Sequence, residues 1–360
     1  MQSTIVNLFN NLVDNCAFLI IIRIIKQQKG DENMTTKQAI LAQLELHKGS
    51  PLSGEALATA LGISRTAIWK AIKDLQKNGY PIAAVPHEGY TLAQNSDTLS
   101  AEAIRPLLTC QTGDLVVEMC MDSTNTRAKQ LAAAGALHGT LVVANEQTAG
   151  RGRRGRSFHS PAGSGLYLSL ILRSNLPMES AALVTSAAAV AVCHAVQDIC
   201  AMDLQIKWVN DIYKNGKKCC GILSEASADF ETGGVDYVVV GIGLNVRVPK
   251  GGFPPDIDAI ATALYPEDAN VPRNRLAAAI ANEVLSVANK LPSTEFMAEY
   301  RARNLIPGHD IFVLQNGNQR AAHALSISDS GHLLVQFADG TEDEISFGEV
   351  SVRLQASSSV

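Results

Sequence analysis

The sequence has few aromatic residues, a small net charge and no regular cysteine spacing. Of its 360 residues, 5% are aromatic and 18% are charged, and the net charge of −5 excludes a chain that is basic throughout. Any nucleic-acid surface must therefore be local. The seven cysteines include no CxxC pair, which argues against a disulfide framework or structural zinc and favours reduced cytosolic thiols. At roughly 150 residues per domain, the length predicts two or three domains.

A short apolar run lies near the N-terminus. It covers residues 17–25 and contains Arg23, so it is far shorter than the roughly 20 residues of a membrane span. It also has no clear signal-peptide cleavage pattern. Met34 opens a stretch typical of a natural protein start, and residues 1–33 are therefore expected to be an N-terminal extension that arises as an upstream translation artefact. A peripheral membrane anchor is the alternative, although no membrane partner is predicted.

Residues 34–94 form a mildly basic module, with six Lys and Arg residues against four acids. Apolar periodicity predicts helices over 37–47, 54–61 and 65–78, followed by a hairpin over 82–92. In the third helix, the apolar positions Ile68, Ala71, Ile72 and Leu75 follow the i, i+3, i+4, i+7 pattern. Two helices joined by a glycine turn and followed by a hairpin are typical of a winged helix-turn-helix domain.

The other face of the third helix is cationic. Near its N-terminus, Arg65 and Thr66 are placed to reach base edges, whereas the lysines that follow would hold phosphates. A small helical domain with solvated lysines is the alternative to DNA binding, and Trp69 could contact either DNA or the wing. The residues predicted to contact DNA are Arg65, Thr66, Trp69, Lys70 and Lys73.

The rest of the chain has a different pattern of predicted strands and helices. A polar, turn-rich stretch at 94–97 predicts a linker, and residues 95–303 follow as a body in which strands outnumber helices, which indicates an α+β fold. A helix is expected over 273–303. Short strands separated by Asn-Gly and Asp-Gly turns then predict a small SH3-like β-barrel over 304–360.

An arginine-glycine loop covers Gly150–Arg156, with the sequence GRGRRGR. It satisfies G-x-G-x-x-G, but Pro161 soon follows and no helix opens, so a dinucleotide-binding turn is rejected. Glycines let backbone N–H groups approach an anion, and guanidinium groups bind phosphate oxygens in pairs. The loop is therefore predicted to bind an anionic nucleotide and to become ordered when it does. An exposed loop that binds RNA or nothing is the alternative.

A second polar cluster is the segment Lys207-Trp208-Val209-Asn210-Asp211. Lys207 ends a predicted buried strand, where an unpaired ammonium group would be costly. We expect it to face either a nearby carboxylate or the phosphate of a ligand.

Together, four motifs resemble one family closely. From residue 34 to about 354 the chain is similar to biotin–protein ligases, in the subgroup with an added winged helix, the biotin operon repressors. The motifs are Asp122-Ser123-Thr124-Asn125, Gln147-x-x-Gly150-Arg151-Gly152-Arg153-Arg154-Gly155-Arg156, Lys207-Trp208-x-Asn210-Asp211 and Gly241-x-Gly243-x-Asn245.

The resemblance implies a central class II synthetase-like mixed β-sheet with helices and a two-step reaction. Biotin and ATP, with Mg²⁺, would give biotinyl-5′-AMP and pyrophosphate. The biotinyl group would then pass to a lysine of biotin carboxyl carrier protein. Carboxylate attack on a phosphate brings two anions together, so the reaction needs cations more than a general base.

The resemblance also assigns roles to residues. Ser123, Thr124, Asn125 and Gln147 would hold the biotin ring system. The loop residues Arg151, Gly152, Arg153 and Arg154 would bind carboxylate and phosphate, and Asn245 would meet the adenine. The catalytic residues would be Lys207, Arg151, Arg153 and Asp211, with Asp211 orienting or deprotonating the incoming lysine. No metal ligands are predicted in the chain itself.

The resemblance further implies a cytoplasmic homodimer, favoured by biotinyl-AMP, that represses biotin-synthesis genes at an operator. Two other interpretations stay open. One is a sensor-repressor that has lost catalysis, which the intact arginine loop and Lys207 disfavour. The other is a lipoate ligase of related fold, which the biotin-type motifs disfavour.

Overall fold

The computed structural model describes residues 35–110, 113–173, 178–228, 234–315, 318–346 and 351–354. The N-terminal extension predicted at 1–33 lies outside them. The chain divides into two compact units, one that ends at Ser96 and one that begins at Asp97.

The N-terminal unit consists of three helices and a hairpin. Its elements are α1 (Thr36–Leu46), α2 (Gly54–Leu61), α3 (Arg65–Lys77), β1 (Ile82–Val85) and β2 (Gly89–Leu92). The two strands pair antiparallel, with Ile82 opposite Leu92. The predicted winged helix-turn-helix is confirmed, and the helix ends differ from the expected ones by at most one residue.

Local sequence signals explain where these helices begin and end. The Ser64 hydroxyl accepts a hydrogen bond from the Ala67 N–H at 3.2 Å and caps α3. Gly62 ends α2 in the left-handed region, with φ 67°, a conformation that costs glycine nothing. The apolar face of α3 is buried against α1 and α2. This face includes Ile68 and Ile72, which are 1% exposed each. This packing leaves the opposite face of α3 in solvent.

The second unit is built on a seven-stranded mixed sheet. Its strands are β3 (Leu115–Glu118), β4 (Leu141–Ala144), β5 (Gly165–Leu172), β6 (Gln205–Lys207), β7 (Asp211–Lys214), β8 (Lys217–Ala228) and β9 (Val235–Asn245). They lie in the order β3-β4-β5-β9-β8-β7-β6. The pair β3–β4 is parallel and the other pairs are antiparallel. The predicted mixed sheet is confirmed.

Helices cover this sheet. They are α4 (Ala101–Ile104), α5 (Thr124–Ala133), α6 (Met178–Cys200), α7 (Arg273–Ala288) and α8 (Met297–Ala302). The single helix expected over 273–303 is wrong, because two helices stand there. Pro292 lies between them, and proline has no N–H to donate and clashes with the carbonyl four residues earlier.

The helix α6 has an unusually apolar composition. By length and composition, its segment Leu183–Cys200 could cross a membrane, but 67% of that segment is buried inside the structure. It packs against α7 and strand β8. This is the environment of a core helix in a folded domain.

The C-terminal strands form a five-stranded antiparallel sheet. They are β10 (Asp310–Gln315), β11 (Asn318–Ile327), β12 (Leu333–Phe337), β13 (Glu342–Ile345) and β14 (Ser351–Leu354), in the order β13-β12-β11-β10-β14. Closure into the expected SH3-like barrel stays a prediction. The residues Ile311 and Val335 of this sheet share one hydrophobic core with the central sheet, so the predicted boundary at residue 304 does not separate two cores.

The core of the N-terminal unit allows a stability test. Replacing the buried Ile72 with alanine leaves a cavity, and the free energy of unfolding should fall by about 2–5 kcal/mol. The matched control is Leu46→Ala, since Leu46 is 49% exposed and should change stability by about 0.5 kcal/mol at most. Scanning calorimetry of the full chain measures both, and equal shifts would contradict this account of the core.

Candidate active site

A cavity of about 550 Å³ opens beside the middle strands of the central sheet. It brings together every predicted catalytic and substrate-binding residue except Asn245. Its lining includes Ser123, Thr124, Asn125, Gln147, Arg151, Gly152, Arg153, Arg154, Arg156, Phe158, Lys207, Asn210, Asp211, Tyr213, Lys218, Gly221, Gly241 and Gly243.

One end of the cavity is neutral and polar. Ser123 caps the N-terminus of α5, so that the next residues turn into the cavity. The Thr124 N–H donates to Gln147 Oε1 at 2.8 Å, and Gln147 Nε2 donates to Ser160 Oγ at 3.0 Å. These two bonds fix the orientation of the Gln147 amide. The hydroxyl and amide groups here suit a neutral, polar ligand ring.

The arginine-glycine loop forms a tight hairpin-like turn at the mouth of the cavity. The Gly152 N–H donates to the Arg156 carbonyl at 2.7 Å, and the Phe158 N–H donates to the Gly150 carbonyl at 2.9 Å. Arg154 has φ 56° and Gly155 has φ 72°. This backbone path places several arginines around one small volume, as the sequence predicted.

Arg153 connects the loop to the Lys207–Asp211 segment, because its Nη1 donates to Asn210 Oδ1 at 3.1 Å. Burial, followed by the charge of Arg154, lowers the pKa of Arg153. The positive charge is therefore less stable here than in water, and a bound anion would stabilise it.

Two lysines flank the floor of the cavity. Lys207 Nζ lies 3.4 Å from Tyr213 Oη and 5.4 Å from the centre of the Tyr213 ring. Lys218 Nζ pairs with Asp211 Oδ1 at 2.6 Å. Burial, with a smaller contribution from Asp211, raises the pKa of Tyr213 to about 12, so the phenol is neutral beside Lys207. The Asp211 carboxylate, predicted to receive a proton, is thus already paired with a cation.

An aromatic ring and two glycines form the apolar wall. Phe158 packs edge-to-face on Tyr167, with 6.4 Å between ring centres. A Cβ atom at Gly243 would lie 2.6 Å from Phe158 Cε1, and one at Gly221 would lie 3.4 Å from Phe158 Cε2. The Phe158 ring can therefore approach β9 this closely only because position 243 lacks a side chain.

Asn245 is the predicted site residue that the cavity does not include. It ends strand β9, and its Nδ2 donates to the Thr262 carbonyl at 3.0 Å. A contact with adenine stays a prediction for this residue. Conversely, sequence reasoning missed Tyr213 and Lys218 as lining residues. Tyr213 lies two residues after Asp211, a spacing that places both side chains on one face of a strand, and Lys218 lies opposite Tyr213 in the β7–β8 pairing.

The predicted DNA-contacting residues are all exposed in the N-terminal unit. They lie on α3 and are Arg65, Thr66, Trp69, Lys70 and Lys73. Trp69 is 53% exposed, so its ring is available to a partner.

Comparison with known proteins gives a separate family match in each of the two units. Residues 117–245 match the Biotin/lipoate A/B protein ligase family, and residues 36–91 match the HTH domain family. The chain is 34% identical over 269 residues to the bifunctional ligase/repressor BirA of Escherichia coli, which covers 74% of this chain and 79% of that protein. The chain belongs to the biotin–protein ligase family.

Two further relatives agree with this membership. The bifunctional ligase/repressor BirA of Bacillus subtilis is 44% identical over 215 residues, which is 59% of this chain and 66% of that protein. The Aquifex aeolicus biotin protein ligase solved with biotin and ATP is 27% identical, with a TM-score of 0.56 over 67% of this chain and 99% of that one. The family, and its bifunctional ligase and repressor branch, are those predicted from the sequence.

Close packing at Gly241 provides a test of how Asn125 is packed in this biotin–protein ligase. A Cβ atom at position 241 would overlap Asn125 Oδ1, so Gly241→Ala should displace Asn125 and lower the free energy of unfolding by about 1–3 kcal/mol. At Gly221, the nearest atoms to a new Cβ are 3.2 Å away, at the end of the flexible Lys218 side chain. Gly221→Ala is therefore the milder control in chemical denaturation, and an equal loss in both variants would contradict the packing described here.

Proposed function

We propose that this chain makes biotinyl-5′-AMP from biotin and MgATP and transfers the biotinyl group to a lysine of biotin carboxyl carrier protein. The observation that supports this most directly is the cavity, which has a neutral polar end beside a dense group of arginines and lysines. Biotin has the matching form, with a neutral ring system and an anionic carboxylate.

In the first step, the biotin carboxylate attacks the α-phosphate of ATP and pyrophosphate leaves. Arg151, Arg153 and Lys207 neutralise the two anions as they meet and stabilise the charge that develops in the transition state. Mg²⁺ enters with the triphosphate as part of the substrate. Among the described residues, no group of three or more His, Cys, Asp or Glu side chains could hold a metal ion.

In the second step, the carrier lysine attacks the acyl carbon, AMP leaves, and the amine gives up a proton. Asp211 is the carboxylate that lines the cavity, and it lies 2.6 Å from Lys218. It orients the incoming ammonium group and receives the proton once Lys218 turns toward the phosphate of AMP. This movement relieves the pairing that holds Asp211 before the substrate binds.

We further propose a regulatory role for the N-terminal unit in the cytoplasm. Biotinyl-AMP that is not consumed orders the arginine loop and favours a homodimer. The dimer places two winged helices on a palindromic operator of biotin-synthesis genes. Such a shift requires that the adenylate bind the dimeric form more tightly than the monomeric one.

The first experiment is a mass-spectrometric assay with biotin, MgATP and a carrier-domain peptide that contains one target lysine. Biotinylated lysine, with acid-labile biotinyl-AMP when the peptide is omitted, supports the ligase. Biotin binding without adenylate would instead indicate a sensor-repressor. Transfer of lipoate rather than biotin would indicate a lipoate ligase.

Lys207→Ala tests the proposed catalytic cation in the same assay. Loss of a charge that stabilises the transition state should lower adenylate formation by about 100-fold or more, while the far-UV spectrum of the protein is retained. Lys217→Ala is the matched control, because Lys217 is exposed and its Nζ donates to the Asp258 carbonyl outside the cavity. Wild-type turnover by Lys207→Ala would refute the role.

Salt dependence tests the DNA-binding face. Fluorescence anisotropy with duplex DNA of mixed sequence, measured over a range of salt concentrations, gives the number of phosphate contacts. Lys70→Ala and Lys73→Ala should each weaken binding and reduce the slope of log affinity against log salt by about 1. Lys290→Ala, an exposed lysine of the second unit, should leave the slope unchanged. Unaltered slopes in all three variants would show that Lys70 and Lys73 do not contact DNA phosphates.

A further inference from the structure

Ser160 joins two residues of the cavity lining although it does not line the cavity itself. It is 5% exposed, and its Oγ lies 3.0 Å from Gln147 Nε2 and 2.9 Å from the Phe158 carbonyl oxygen. Gln147 belongs to the polar end of the cavity and Phe158 to its apolar wall. The backbone N–H of Gln147 also donates to the Ser160 carbonyl at 3.1 Å. Ser160 thus connects these two parts of the cavity from behind.

The amide of Gln147 offers a ligand a donor and no acceptor. The Thr124 N–H, which can only donate, lies 2.8 Å from Gln147 Oε1, and the Thr124 hydroxyl donates to the same oxygen at 3.1 Å. These two bonds use both lone pairs of Oε1. One hydrogen of Nε2 goes to Ser160, and the other has no acceptor among the described residues. Because Gln147 lines the cavity, this second hydrogen is the one left for a ligand.

The Ser160 hydroxyl acts as donor and acceptor at the same time. The Phe158 carbonyl can only accept, so it takes the single hydroxyl proton of Ser160. The Gln147 NH₂ group can only donate, so the Ser160 oxygen accepts from it. An alanine at position 160 would therefore remove both hydrogen bonds and leave the backbone bond between Gln147 and residue 160 in place.

Gly150 leaves open the space that this cluster needs. A Cβ atom at position 150 would lie 2.5 Å from the Phe158 carbonyl oxygen, 2.6 Å from Ser160 Oγ and 3.2 Å from Gln147 Nε2. These are the three atoms that the two hydrogen bonds join, and all three distances are shorter than the roughly 3.5 Å of a favourable contact. The missing side chain of Gly150 therefore lets the hydrogen bonds form at the base of the arginine-glycine loop.

We propose that Ser160 is a positioning residue that holds the Gln147 amide so that its second hydrogen meets an acceptor atom of the ligand. The inference rests on the proposed function, since biotin is the ligand considered. The contacts with Thr124 determine on which side of the amide the oxygen lies. Ser160 limits rotation about the last side-chain bond of Gln147, a torsion that is broad when nothing restrains it.

This role concerns binding and not the chemical step. An amide that is held before the ligand arrives loses little freedom on binding, whereas a rotating amide must be ordered at the expense of affinity. Ser160 lies behind the neutral end of the cavity, and the cations that would meet ATP belong to the other end. Ser160 thus supports biotin affinity without touching biotin.

The test is Ser160→Ala in the full chain. Biotin Kd by calorimetry and biotin KM should rise roughly tenfold. The kcat of biotinyl-AMP formation and the ATP KM should stay within about twofold, because the cations of the site are unchanged. A merely structural role would give a different result, since loss of folded enzyme lowers the apparent kcat and leaves both KM values as they are.

A double-mutant cycle separates an action through Gln147 from an action through Phe158. Gln147→Met removes the amide and keeps a side chain of similar length. In this background, Ser160→Ala should change biotin Kd by less than about twofold, because no amide is left to position. Equilibrium dialysis with labelled biotin measures the weaker affinities of these variants. An equal loss in both backgrounds would show that Ser160 acts through the Phe158 carbonyl and would overturn the inference.

Ser164→Ala is the matched control. Ser164 is also 5% exposed, its Oγ donates to the Pro161 carbonyl at 3.2 Å, and it does not line the cavity. This variant should bind biotin as the wild type does. Wild-type biotin affinity in Ser160→Ala, or an equal loss in Ser164→Ala, would overturn the inference while leaving the proposed function intact. Failure of the wild-type chain to bind biotin would overturn both.

Discussion

An excess of positive charge in one small volume is the constraint on which the site depends. Six cationic side chains line the cavity, and among the described lining residues Asp211 is the one carboxylate. Like charges repel one another, even though solvent screens part of this repulsion at the exposed Arg151, Arg154 and Arg156. The backbone must therefore hold the arginine loop in place, as its internal hydrogen bonds do. The cations are Arg151, Arg153, Arg154, Arg156, Lys207 and Lys218.

The same constraint explains why the two ends of the cavity differ. At the cationic end, the lowered pKa of Arg153 and the pairing of Lys218 with Asp211 show a site that an anion would complete. At the polar end, Gln147 and Asn125 are held by hydrogen bonds within the protein. One end thus suits an anion, and the other suits a neutral polar group.

Much of this site could be predicted from the sequence because its residues lie in contiguous motifs. The loop at 150–156, the turn before α5 and the segment around Lys207 each follow a strand, and strands of one sheet bring such turns together. The ion pair of Lys129 with Glu225, the residue that accepts a hydrogen bond from Asn125, could not be predicted in this way. Its members are 96 residues apart, and no local spacing relates them.

Two strands have few apolar residues and are therefore hard to predict from the sequence. Strand β7 reads Asp-Ile-Tyr-Lys and strand β13 reads Glu-Asp-Glu-Ile, so neither shows a clear apolar alternation. Both are held by hydrogen bonds to a neighbouring strand. Strands of this kind are defined by their partners rather than by their own composition.

The separate cores of the two units have a consequence for how such proteins can change. The winged helix-turn-helix buries its own apolar residues, so it can be removed or exchanged without opening the central sheet. The C-terminal sheet has no such independence, because it shares a core with that sheet and its Gly331 carbonyl accepts a hydrogen bond from Trp208 at 2.9 Å. Loss of the N-terminal unit would therefore leave the core of the central sheet intact, whereas loss of the C-terminal sheet would expose part of that core.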